Sequence, residues 1–129
     1  MDSRSEQAAY AAEAKARWGG TRAYRAYESR AENRTETERQ RLRDRLMEHF
    51  TVFGALVHLD PASDAPQKRV RELKAFLSEN YYPCSNEVLM GLGQMYAADE
   101  RFRATIDSAG GEGTAVFVRQ AIEAYCKKA

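Results

Sequence analysis

Between Asp2 and Arg41 the chain contains no valine, isoleucine, leucine, methionine or phenylalanine, whereas from Leu42 onward these residues recur every few positions. Any hydrophobic core must therefore be built from the residues after Arg41. The large apolar groups of the first segment are Tyr10, Trp18, Tyr24 and Tyr27. Ordering a residue costs about 1–2 kcal/mol of backbone entropy, and a segment that buries little apolar area cannot offset it. Residues 1–34 are accordingly expected to form a loosely held N-terminal segment of the same domain, and residues 35–129 its helical core. Alanine favours helix in the early segment, but propensity alone gives marginal helicity in water. The readings of this segment stand side by side: a lid whose aromatic faces close over a ligand, or else a solvated helical arm packed by its four aromatics against the core or the tail of an interdomain helix.

The rest of the pattern is helical, and no strand-like alternation extends beyond a few residues. Ser5 to Trp18 ends at Gly19-Gly20, the usual chemistry of a helix C-terminus, and Thr21 can cap a short second helix through Tyr24 and Tyr27. Thr35-Glu36-Thr37-Glu38 offers a capping box. It opens a long helix with apolar residues at Leu42, Leu46, Phe50, Phe53 and Val57, which Pro61 is expected to end. Asp64-Ala65-Pro66 is a further start signal, with Val70, Leu73 and Leu77 as its buried stripe, and Pro83 stops that helix. Ser85 and Asp99 can each cap a helix, and Thr114 can cap a last one after the Gly110-Gly111-Glu112-Gly113 loop. Phe117, Val118, Ala121, Ile122 and Tyr125 mark its buried face. The fold class is all-α, with about six to seven helices in one domain.

Composition narrows the function. Twenty lysines and arginines nearly cancel nineteen aspartates and glutamates, so no net field draws the molecule to nucleic acid or to an anionic membrane. Direct DNA contact by this chain is not expected. No apolar run approaches a membrane span, and a cytoplasmic location follows. Cys84 and Cys126 lack CxxC or histidine neighbours and read as free thiols. His49 and His58, nine residues apart on the expected long helix, point in nearly opposite directions and cannot clamp a metal together. No nucleophile elbow, zinc-protease motif, phosphate loop or paired carboxylates occur. No enzymatic activity, cofactor or metal is expected.

The stretch Cys84 to Phe102 places Gly91 and Gly93 inside an amphipathic helix, each costing about 1 kcal/mol relative to alanine. On a helical wheel Val88, Leu89, Leu92, Met95 and Tyr96 form the core stripe, and Cys84, Glu87, Gly91, Gln94 and Ala98 run along its edge. Gly91 can serve close helix packing or let a ligand lie on bare backbone. Gly93, on the far side, reads as a packing residue. Cys84 can be a small buried hydrophobe, or a thiol activated by the following helix N-terminus. Glu87 complements the helix dipole in either case.

Four motifs, in order, resemble the signature run of the TipAS antibiotic-recognition domains. They are Arg17-Trp18-Gly19-Gly20-Thr21 with Ala23-Tyr24, Tyr82-Pro83-Cys84-Ser85-Asn86-Glu87, Gly91-Leu92-Gly93-Gln94-Met95-Tyr96, and Asp99-Glu100-Arg101-Phe102. The similarity runs from about Tyr10 to Tyr125. It implies a globin-like domain without haem, whose N-terminal segment is mobile until a drug binds. Such domains usually form the sensor of MerR-type transcription activators, and stand-alone relatives sequester an antibiotic and so confer resistance. The implied partners are a small-molecule antibiotic or xenobiotic, such as a thiopeptide, and a MerR-type DNA-binding region or a homodimer partner. The resemblance sets Gly91 where thiopeptide-capturing members carry the cysteine that adds to a dehydroamino acid of the drug. Cys84 matches a different family cysteine, so capture is expected to be non-covalent. Where relatives often carry histidines, Leu73 and Phe76 make the pocket more apolar. The expected lining is Trp18, Tyr24 and Tyr27 from the lid, Phe53 from the long helix, and Tyr82, Cys84, Glu87, Gly91, Gln94 and Met95. An alternative from another class is a protein-interaction module that docks through its N-terminal aromatic segment.

Overall fold

The computed structural model describes residues 34–128. The two helices expected before Thr35 lie outside this range. The described residues form five α-helices and no strand: α1 (Glu36–Gly54), α2 (Asp64–Asn80), α3 (Asn86–Ala98), α4 (Glu100–Gly110) and α5 (Thr114–Lys128). Every expected helix after Thr35 is present.

Local chemistry sets their starts. The Thr35 hydroxyl accepts from the Glu38 backbone N–H at 3.1 Å while the Glu38 carboxylate accepts from the Thr35 N–H, the reciprocal capping box expected there. Ser85 accepts from the Val88 N–H at the start of α3. Asp99 ends α3 and accepts from the N–H groups of Arg101 and Phe102, so one residue closes one helix and opens the next. Two expected caps differ. The residue before α2 is Ser63, whose hydroxyl donates to the Asp60 carbonyl instead of capping; Asp64 is the first helical residue and meets the dipole as a charge. At α5 the Thr114 hydroxyl donates to the Gly111 carbonyl at 2.7 Å, and the Ala115 N–H is taken by the carboxylate of Asp107 in α4 at 2.8 Å. Gly111 and Gly113 have φ of 103° and 89°, a backbone that side chains disfavour, which lets this loop bring Asp107 to the start of α5.

The long helix is shorter than its apolar spacing suggests. It ends at Gly54, not at Pro61, and the chain tightens there through bonds from Ala55 N–H to Val52 and from Leu56 N–H to Phe53. The cause is tertiary: Gly54 lies against the backbone of Gly110, and the chain must turn away. Val57 is consequently 41% exposed and outside the core. His58 also lies beyond α1, so the two histidines do not share a helix.

The core joins Phe50 and Phe53 of α1, Val70, Leu73, Phe76 and Leu77 of α2, Leu89, Leu92, Met95 and Tyr96 of α3, Phe102 and Ile106 of α4, and Ala115, Phe117, Val118, Ala121 and Ile122 of α5. Helix α5 packs most extensively on α3, and α1 on α4. Gly93 is buried in the first of these contacts: a Cβ there would lie 3.2 Å from Ile122 Cδ1. It belongs to the packed surface, so α3 is buried more widely than its wheel suggests. The buried Gln67 donates to the carbonyls of Pro61 and Ala121 at 2.8 and 3.0 Å, tying α5 to the turn before α2 and satisfying an amide that would otherwise be costly to bury.

Candidate functional site

Helices α1 and α2 run antiparallel, and the contact between them carries a row of aromatic and cationic groups. The His49 ring lies 4.9 Å from Phe76, and Phe76 contacts Tyr81 edge-on at 6.0 Å. Tyr81 in turn meets Tyr82 at 6.5 Å. The guanidinium of Arg45 sits 5.0 Å from the Phe76 ring centre, and that of Arg34 sits 5.4 Å from the Tyr81 ring centre, distances at which a ring face attracts a cation. Phe76 is nearly buried, while Tyr81, Tyr82 and His49 are half-exposed. The result is an aromatic ledge with a cationic rim. In the core, Tyr96 packs edge-on against Phe50 at 5.3 Å and tilted against Phe102 at 6.2 Å.

Electrostatics keep the ledge neutral beneath its rim. Burial holds the His49 imidazole below its ordinary pKa; Glu72 opposes this, and Arg69 and Arg45 reinforce it. Burial also pushes the Tyr96 phenol well above its ordinary value, with Cys84 and Tyr81 adding to the effect. The Cys84 thiol is pushed up to about 11 by burial, against the pull of Lys74. Desolvation outweighs the helix N-terminus here, and Cys84 is a buried thiol, not an activated one. Both cysteines are free. Around Asn86, the Lys74 ammonium donates to its side-chain oxygen at 2.7 Å and the Cys126 thiol to its carbonyl at 3.5 Å, which fixes the start of α3.

The sequence-derived lining residues divide by position. Trp18, Tyr24 and Tyr27 lie outside the described residues. Tyr82 is half-exposed on the ledge. Glu87 and Gln94 are exposed and Gly91 is half-buried, so these three lie along the outer edge of α3. Phe53, Met95 and Cys84 are buried in the core, at 0%, 3% and 5% exposure, and present little surface. Sequence reasoning passed over Arg34, Arg45, His49 and Tyr81. The available signal was the four-residue spacing of Arg45 and His49, which puts them on one helix face, together with the aromatic density at Phe76, Tyr81 and Tyr82. A separate open concavity of about 460 Å³ lies along α1, lined by the polar and charged residues Glu36, Thr37, Gln40, Arg41 and Asp44. Among the described residues, no group of three or more histidines, cysteines or carboxylates could hold a metal ion, and no helix is long and apolar enough to cross a membrane.

This all-helical fold with an aromatic ledge fits a ligand-binding domain, and comparison with known proteins is specific. Residues 10–125 match the TipAS antibiotic-recognition domain, and the chain belongs to that family. The HTH-type transcriptional activators TipA of Streptomyces coelicolor and Streptomyces lividans are each 35% identical over 115 residues, 88% of this chain. The chain spans 45% of the length of each of these relatives. The HTH-type transcriptional activator mta of Bacillus subtilis is 38% identical over 60 residues, covering 46% of this chain and 23% of that protein. A solved structure of TipAS from Streptomyces lividans in complex with nosiheptide, from a thiopeptide antibiotic multidrug resistance system, has a TM-score of 0.78. Its identity is 32%, over 92% of this chain and 84% of that one.

Proposed function

We propose that this domain binds a large, mostly apolar antibiotic-like natural product, a thiopeptide or similar xenobiotic, without turning it over. The observation that carries the reading is the continuous run Phe76–Tyr81–Tyr82, flanked by His49, in a chain of the TipAS family. Small-molecule sites of this kind combine aromatic walls with a few polar groups that orient the ligand. Residues 1–34 act as the lid over the core at 35–129, bringing Trp18, Tyr24 and Tyr27 to the ligand; Tyr82, Gly91, Glu87 and Gln94 form its edge. The domain serves as the sensor of a MerR-type regulator or as a stand-alone sequestering protein.

Capture is non-covalent. Gly91 offers no nucleophile, and the thiol of Cys84 is buried and protonated at neutral pH. The test is a titration with nosiheptide and other thiopeptides, read by the fluorescence of Trp18, the single tryptophan, with intact mass recorded on the same samples. A saturable fluorescence change without added mass is the expected result. A panel that leaves the signal unchanged removes the reading, and an adduct lost in Cys84→Ser removes its non-covalent part.

A further inference from the structure

Four arginines of the described chain pair with nearby carboxylates: Arg39 with Glu36, Arg69 with Glu72, Arg101 with Asp99 and Arg119 with Glu123. Arg34 and Arg45, like Arg41, Arg43, Arg71 and Arg103, do not, although each of the two has an acid at helical pairing distance in sequence. Glu38, four residues after Arg34, is engaged in the capping box. Glu48, three residues after Arg45, lies beyond ion-pairing distance, and Glu72 on the facing helix is held by Arg69 at 2.6 Å. Among the described residues no carboxylate pairs with either guanidinium. Both instead lie on ring faces of the ledge, Arg45 over Phe76 and Arg34 over Tyr81.

A guanidinium resting on a ring still presents its N–H groups at the edge of its plane, in the fork that matches a carboxylate with two parallel hydrogen bonds. The ring beneath limits its positions, so less freedom is lost when an anion docks. The half-exposed Tyr81 and Tyr82 rings lie beside this rim and suit the planar part of the same ligand. We infer that the ledge selects aromatic ligands bearing a carboxylate, with Arg45 and Arg34 receiving the anion. The inference rests on the ligand-binding reading and adds the charge of the ligand to it.

The test uses the full chain, labelled with ¹⁵N, and a matched pair of probes: 2-phenylthiazole-4-carboxylate and its uncharged primary carboxamide, titrated by amide chemical shifts. Nosiheptide is titrated in parallel. The carboxylate is expected to bind about fivefold more tightly than the carboxamide at low ionic strength, an advantage that salt erodes. Arg45→Gln should reduce that preference by weakening the carboxylate more than the carboxamide, and Arg34→Gln combined with it should abolish the preference; unchanged amide spectra elsewhere verify the fold. Equal binding of the two probes to the unmodified chain, or a preference that survives in the double variant, overturns the inference. If nosiheptide binds in that case, the ligand-binding reading stands and only the charge selection fails. If neither nosiheptide nor either probe binds, both fail.

Discussion

A Cβ placed on Gly54 would lie 2.0 Å from the carbonyl oxygen of Gly110, so the backbones of α1 and α4 touch where both helices end. The Thr51 hydroxyl reinforces the crossing by donating to the Ala109 carbonyl at 3.0 Å. No rotamer change can relieve a clash between a methyl group and backbone. Gly54→Ala should therefore force the helices apart and destabilise the fold by about 2–3 kcal/mol, the range of overpacked sites. Urea unfolding measures it; a midpoint equal to the parent's would mean that the crossing adjusts freely.

Gly93 presents a milder version of the same problem. Its added methyl would meet Ile122 Cδ1 at 3.2 Å and Cγ2 at 3.3 Å, and Ile122 is fully buried with little room to move. The helix-propensity gain of about 1 kcal/mol for alanine opposes this crowding, so Gly93→Ala should change stability by about 1 kcal/mol or less. Ile122→Val removes the nearest atom. A double-mutant cycle should therefore show the pair costing less than the sum of the single changes, and strict additivity would show that the two residues do not crowd each other.

The capping box at Thr35 lies on the exposed beginning of α1. Thr35→Ala removes the acceptor for the Glu38 N–H and should cost about 1 kcal/mol, with Thr35→Ser restoring most of it. Thermal unfolding of the three proteins at matched pH decides the point, and identical transitions would assign the cap no energetic role.

The buried thiol of Cys84 makes a prediction in pH. Its folded-state value of about 11 stands above the ordinary 9.0, so the fold favours the neutral form. That contribution is fully present below pH 9 and is lost as pH rises towards 11, because the unfolded chain releases the proton first. Stability measured across this window should fall less steeply in Cys84→Ala than in the parent. Alkylation by iodoacetamide at pH 8 should label Cys126, which is partly exposed, before Cys84. Faster labelling of Cys84 would contradict its burial.

The helices after Thr35 were readable because their signals are local: a capping box, helix-starting serine and aspartate, and apolar residues three or four apart. The errors arose where distant residues decide. Nothing near Gly54 announces that Gly110 will meet it, so apolar spacing alone carries the long helix on to Pro61 and Val57 into its stripe. Sequence alone points to Thr114 as the cap of α5 because the observed acceptor, Asp107, belongs to the preceding helix. At the candidate site, spacing and motif point to Tyr82 and the edge of α3 as expected lining. The contacts of Arg45 and His49 with Phe76 require the antiparallel pairing of α1 and α2, which no single helical wheel contains. Cys84 was ambiguous for a related reason, since a helix start and burial act oppositely on a thiol and only the packing shows which dominates.

The ledge divides its labour by depth. Phe76 is a buried member of the core, so altering it to suit a new ligand would also disturb folding. Tyr82, Arg34 and Arg45 lie at the margin, where exchange perturbs few packed neighbours. Descendants of this sequence can therefore explore new chemical targets through the rim while the floor is inherited nearly intact, and diversification of recognition need not wait for compensating repacking inside the molecule.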